Sequence, residues 1–130
     1  MQQPMRRRTG PDSAVDVHVK RAYAPATTSD GVRILVDRLW PRGIAKATLA
    51  GVPWLKDITP SDALRAWFGH EPAKWTEFRR RYFRELDANP EAVAGLRSHA
   101  GHGRITLLYG ARDELHNNAV ALRDYLLGTS

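Results

Sequence analysis

Two short stretches concentrate residue types that can hold or transform a ligand. The first is Asp37, Arg38, Trp40 and Arg42; the second is Tyr109, Gly110, Arg112, Asp113, His116 and Asn117. Arginines beside a helix N-terminus suit an anion, because guanidinium forks and free backbone N–H groups both donate to oxygens. His116 with Asp113 is the spacing of an imidazole oriented by a carboxylate, the arrangement of a general acid or base. Each residue also has a plainer reading. Asp113 suits the N-cap of the last helix, Asp37 can pair with Arg38, and His116 can face water at a helix start.

Other chemistry finds less support. Ser61 lacks a Gly-x-Ser-x-Gly elbow. His99 and His102 straddle Gly101 with no carboxylate at ligand spacing, so no metal site is expected. Gly101-His102-Gly103 lacks the Lys-Ser/Thr of a phosphate loop. Trp67 and Trp75 lie on helical apolar stripes and read as core, whereas Trp40 and Trp54 fall in loops. Arg79-Arg80-Arg81 reads as a solvated helix face.

The elements that must position these residues follow from the hydrophobic period. Val15 to Lys20 alternates as a half-buried strand does, and Val32 to Val36 is a short branched run suited to a buried strand. Pro41 and Gly43 interrupt regular structure, and a short helix is expected near Lys46 to Leu49. Thr59-Pro60 reads as a helix start, with Leu64, Trp67 and Phe68 inward and Gly69 as the stop. A second helix places Trp75, Phe78, Tyr82 and Leu86 on one face and Glu77 and Arg81 on another. A third starts at Asn89-Pro90, with Val93 and Leu96 inward. Arg104 to Tyr109 is the last strand, and a helix from about Asp113 to Leu127 follows, with Leu115, Ala119, Leu122 and Leu126 on its stripe. Several helices between the second and third strands favour parallel pairing. The expectation is a small three-layer α/β domain with a mostly parallel central sheet and helices on both faces. Ligands in such sheets bind beyond the carboxyl ends of the strands, which is where the two stretches lie.

Composition sets the outer limits. The chain has 130 residues, 42% hydrophobic and 26% charged, so one globular domain is expected rather than disorder. It has no apolar run near membrane length and no apolar segment behind the N-terminal charges, which argues against a span or a signal peptide. Cysteine is absent, which excludes a disulfide scaffold, a thiol nucleophile and a thiolate metal site, and fits a cytoplasmic protein. The net charge is +6, and Arg6, Arg7 and Arg8 account for half of it. Residues 1–13 read as a disordered basic tail and 14–130 as a single α/β domain. No zinc-finger, homeodomain or RNA-recognition pattern is present.

The run Val32-Arg33-Ile34-Leu35-Val36-Asp37-Arg38-Leu39-Trp40-Pro41-Arg42-Gly43 resembles the hallmark of the YeaO-like branch of the domain-of-unknown-function 488 family. Trp54 to Ser61, Leu64 to His70, Lys74-Trp75 with Phe78 and Tyr82, and Thr106 to Asp113 with His116 to Ala119 extend the resemblance from about Val17 to Leu127. It implies a small α/β domain of bacterial or archaeal type and supplies no catalytic residues. Broader relatives carry cysteines after the last strand; this chain has none, so thiol chemistry is not carried over. Polar positions within the resemblance include Asp37, Arg38, Arg42, Lys56, Ser61, Arg65, Asp113, His116 and Asn117.

The leading expectation is a strand-end pocket for a small anionic ligand, a nucleotide or phosphorylated metabolite. Arg38, Arg42, Lys56 and Arg65 would hold the anion, with Asp37, Trp40, Tyr109 and Asn117 around it. Asp113 and His116 would serve any hydrolase or transferase chemistry. A second expectation is a nucleic-acid- or protein-binding module using the basic tail and the face from Arg79 to Arg84. A third is that Arg38, Arg65 and Asp113 form a buried structural ion network. No cofactor and no oligomeric state follow from these residues.

Overall fold

A computed structural model describes residues 16–101 and 103–128. The basic segment 1–13 lies outside the described residues. Three strands form one parallel sheet: β1 (Asp16–Arg21), β2 (Val32–Leu35) and β3 (Arg104–Tyr109), in the order β1-β3-β2. Ile105 is in register with Val17 on one side and Val32 on the other. The central position of β3 explains its unbroken apolar run from Leu107 to Tyr109, since a central parallel strand is covered on both faces. Four α-helices follow: α1 (Asp62–Phe68), α2 (Trp75–Asp87), α3 (Pro90–Ala100) and α4 (Asn118–Leu127).

Strand alternation divides the side chains between two layers. Val17, Ile34, Ile105, Leu107 and Tyr109 point to the main core, where they meet Phe68 of α1, Phe78 and Tyr82 of α2, Leu96 of α3 and Leu122 of α4. Leu35 and Leu108 point the other way, onto Ala22 and Leu49, with Trp40 and Trp54 packed alongside. That second face is covered by 3-10 turns, Thr28–Asp30 and Lys46–Leu49, and the loop between Trp40 and Trp54. The third layer is therefore 3-10 turn and loop, while the α-helices contribute to the main core. The segment at Trp54 also pairs with β2: Leu35 donates its N–H to Pro53 at 2.9 Å and accepts from Leu55 at 3.0 Å. This covers the outer edge of β2, which would otherwise present unpaired backbone groups.

The connector from β1 to β2 buries a carboxylate. Asp30 accepts from Lys20 Nζ at 3.0 Å, the Thr27 N–H at 3.1 Å and Thr27 Oγ1 at 3.0 Å, while Arg33 Nε lies 3.3 Å away. Burial pushes its pKa up, but the Thr27 bonds and Lys20 outweigh that and hold it at about 2.

Two helix starts differ from the sequence expectation. Helix α1 is capped by Ser61, whose Oγ accepts the Leu64 N–H at 3.1 Å and donates to Glu85 at 2.6 Å. Thr59, the expected cap, closes the preceding 3-10 turn instead and donates to the Lys56 carbonyl. Helix α4 starts at Asn118 with Asn117 as its cap, not at Asp113. Asp113 Oδ1 takes the N–H groups of Leu115 and His116 at 2.9 and 3.0 Å. An Asp that bonds its own downstream backbone this way offers a turn in place of a helix. Leu115 accordingly lies outside α4, 71% exposed, while Ala119, Leu122 and Leu126 are buried as their spacing implied.

Candidate functional site

A cleft of about 590 Å³ opens beyond the carboxyl ends of β2 and β3. Such a volume lies in the range of small-molecule sites. The chain reaches it from four directions: Asp37 to Arg42 after β2, Gly110 and Ala111 after β3, Asp62 and Arg65 on α1, and Asn117 and Asn118 at the start of α4. Parallel strands delivering their ends to one edge is what brings the two sequence stretches together.

Asp37 links the strand ends. Its Oδ2 accepts the Gly110 N–H at 2.7 Å, and its own carbonyl accepts the Trp54 indole N–H at 2.7 Å. Burial pushes its carboxyl pKa up; the Gly110 N–H, the Asn118 amide, Arg65 and His70 oppose this without cancelling it. Gly110 is suited to the approach, since a Cβ there would stand 3.1 Å from Asp37 Oδ2.

Arg38 is braced by Thr59 Oγ1 at 3.0 Å and the Pro60 carbonyl at 3.3 Å. Asp62 stands between two arginines, 3.9 Å from Arg38 Nε and 2.9 Å from Arg65 Nη1. The expected buried network of Arg38, Arg65 and Asp113 is not formed: the two arginines meet Asp62, whose side chain is 80% exposed, and Asp113 pairs with His116 instead. Arg42 lines the cleft as an exposed residue, and its carbonyl accepts from Tyr23 Oη at 2.7 Å. Trp40 also lines it; its indole donates to the Ile44 carbonyl at 2.6 Å and its ring meets Trp54 edge-on at 5.3 Å. Asn117 borders the cleft, but its amide is engaged in capping α4 and holding the Asp113 carbonyl at 2.9 Å.

Four expected site residues lie outside the cleft lining. Lys56 sits on the 3-10 turn Lys56–Ile58, with its ammonium 4.1 Å from the Trp54 ring centroid. Tyr109 is buried, its hydroxyl pKa pushed up first by that burial, and it borders a separate hollow with Lys20 and Glu114. Asp113 and His116 do form the expected pair, Oδ2 to Nδ1 at 3.0 Å, and the His116 ring stands edge-on to Trp75 at 5.4 Å. The Leu115 N–H, ahead of the His116 ring, holds the Asp113 pKa below the usual carboxylate range.

His70, Asp62 and Asn118 were not singled out from sequence. His70 adopts φ 58°, directly after Gly69 at φ 54°. A non-glycine residue in the left-handed region is uncommon, and such positions gather at ligand sites. The available signal was the Gly-His pair that ends α1 before the next helix restarts, which carries no chemistry of its own.

The arginine face of α2 is largely engaged within the molecule. Arg79 pairs with Asp124 at 3.0 Å, and both Arg80 and Arg81 reach Glu77 at 2.8 Å. Among the described residues no group of three or more His, Asp or Glu could hold a metal ion, and no helix is long and apolar enough to cross a membrane.

Fold and cleft together define a small parallel α/β protein with an arginine-lined pocket at its strand ends. The chain belongs to the DUF488 family, matching over residues 16–129 the model described as the "Inactive DUF488-N3 subclade". It is 45% identical over 112 residues to the uncharacterized protein YeaO of Escherichia coli, covering 86% of this chain and 97% of that protein. It is 38% identical over 112 residues to the uncharacterized proteins Rv3073c of Mycobacterium tuberculosis and Mb3100c of Mycobacterium bovis, covering 86% of this chain and 94% of each. No solved structure matches the chain.

Proposed function

We propose that the strand-end cleft binds a small anionic ligand, a nucleotide or another phosphorylated metabolite, and does so without transforming it. The observation that carries this reading is where the side chains fall: Arg38, Arg42 and Arg65 line one cleft, with Asp37 and Asp62 among them, whereas the Asp113–His116 pair does not. Guanidinium groups can hold phosphoryl oxygens in forked pairs. The Asp113–His116 pair expected to serve acid–base chemistry is off the lining, while the cleft's arginines are donors for an anion. The word "inactive" in the description of the subclade supports the same choice. The absence of cysteine fits a cytoplasmic setting.

A nucleic-acid-binding role is the second reading, favoured by the basic segment at Arg6 to Arg8. Arg79, Arg80 and Arg81 of α2 pair with Asp124 and Glu77, as Arg38 and Arg65 of the cleft pair with Asp62.

Thermal unfolding in the presence of phosphate, nucleotides, sugar phosphates and short DNA, at two salt concentrations, separates the two. A ligand at 100 times its Kd adds about 2.7 kcal/mol, which raises Tm by several degrees for a domain of this size. A shift from a small anion that disappears in folded Arg65→Ala supports the cleft. A salt-sensitive shift from DNA alone transfers the function to the basic segment.

A further inference from the structure

The cleft is not uniformly cationic. Asp37 lines it beside the arginines, yet Arg38 and Arg65 make their ion pairs with Asp62. Among the described residues Asp37 takes no part in an ion pair; its partners are the Gly110 N–H and the Asn118 amide. An ionised carboxylate offers about four acceptor positions, so these two donors leave it able to accept more. The Trp54 indole donates to the Asp37 backbone carbonyl and the Gly110 N–H to Oδ2, so the residue is held on the cleft lining. A bare phosphate in this cleft would meet the arginines and also confront that carboxylate, a repulsion that falls only as the inverse of distance and strengthens out of water. A ligand that also presents an O–H to Asp37 turns the repulsion into a hydrogen bond.

From this placement, and resting on the anion-binding reading above, we infer that the cleft is bipartite and takes a phosphate ester of a polyol. The phosphoryl oxygens lie on Arg38, Arg42 and Arg65, and a free hydroxyl of the sugar donates to Asp37. A ribonucleotide and a simple sugar phosphate share that chemistry. A site built around a half-buried acceptor discriminates against analogues that lack the matching hydroxyl.

Titration calorimetry at neutral pH with inorganic phosphate, methyl phosphate, ribose 5-phosphate and adenosine 5′-monophosphate tests the inference. The two hydroxyl-bearing esters are expected to bind at least about tenfold more tightly than phosphate or methyl phosphate. In Asp37→Asn that advantage is lost while methyl phosphate binds as well as before or better; in Arg65→Ala all four weaken. Tighter binding of the nucleotide than of ribose 5-phosphate assigns the ligand to nucleotides, and equal binding assigns it to sugar phosphates. Uniform affinity for all four in the wild-type protein overturns the bipartite site and leaves the anion site standing, a comparison that needs no variant to fold. Hydroxyl selectivity that survives in folded Asp37→Asn overturns the role of Asp37. Binding of none overturns both readings.

Discussion

Asp37 Oδ2 and the backbone N–H of Gly110 lie 2.7 Å apart, tying the end of β2 to the end of β3. The contact does two things. It joins two of the segments that line the cleft, and it holds a carboxylate partly out of water at the cleft wall. Asn118 reaches the same place from α4, donating to the Val36 carbonyl next door.

Asp37→Asn separates a binding role from a bracing one. Because burial raises the folded-state pKa of Asp37 above its unfolded value, folding takes up protons there. Its contribution to stability is fully present below the unfolded pKa of about 3.9 and is lost as pH rises through the folded value. An asparagine keeps an acceptor for Gly110 and carries no charge. The variant is expected to melt at or above the wild-type Tm at pH 7, with the difference vanishing below about pH 4. Melting curves at the two pH values check this; a large loss at pH 7 identifies Asp37 as a structural brace.

Asp30 shows the opposite sign. Its folded pKa of about 2 lies below the unfolded value, so its stabilisation is present above about pH 4 and is lost as pH falls toward 2. Asp30→Asn leaves Lys20 and Arg33 without their acid and is expected to cost about 3 kcal/mol at pH 7. Urea unfolding at pH 7 and at pH 2 should show that gap narrowing in acid.

Gly31 joins the buried Asp30 turn to β2 with φ 66° and ψ −139°, a conformation nearly confined to glycine. A Cβ there would collide with the Arg104 carbonyl oxygen. Gly31→Ala is therefore expected to lose about 3 kcal/mol or more, by strain and by displacement of β3. Chemical denaturation measures the loss, with circular dichroism showing whether the variant still folds.

The two candidates for the α4 cap are separable. Asn117→Ala removes the acceptor of the Val120 N–H and the donor to the Asp113 carbonyl, in a residue only 2% exposed. It is expected to cost about 2 kcal/mol. Asp113→Ala, which loosens an exposed turn, should cost about 1 kcal/mol or less. A reversed order in urea unfolding would return the cap to Asp113.

What local sequence determined is visible in particular elements. Arg104 to Tyr109 could be read as a strand with its observed bounds, because six residues of mostly apolar, branched character between Gly103 and Gly110 admit little else. Phe78, Tyr82 and Leu86 could be placed inward because helical spacing alone puts them on one face. Parallel pairing followed from the length of the crossover, and with it the position of Asp37, Arg38, Arg42 and Asn117 at one edge of the sheet. These inferences rest on period, chain length and chirality, which act over a few residues or follow from topology.

Tertiary structure decided the rest. Lys56 and His70 both lie close to α1 in sequence, yet Lys56 covers Trp54 and His70 lines the cleft. That difference comes from where a loop packs and from a left-handed turn, which charge and spacing do not encode. Asp113 was a fair N-cap by residue type, but two backbone N–H groups folded back onto it first, and Asn117 took the helix. Asp62 pairs with Arg65 one turn along α1, as helical spacing allows, but its approach to Arg38 requires the chain after β2 to meet the start of α1. The Arg38–Asp62 approach and the gathering of β2, β3, α1 and α4 at one cleft depend on contacts between segments far apart in the chain, so only the folded molecule specifies them.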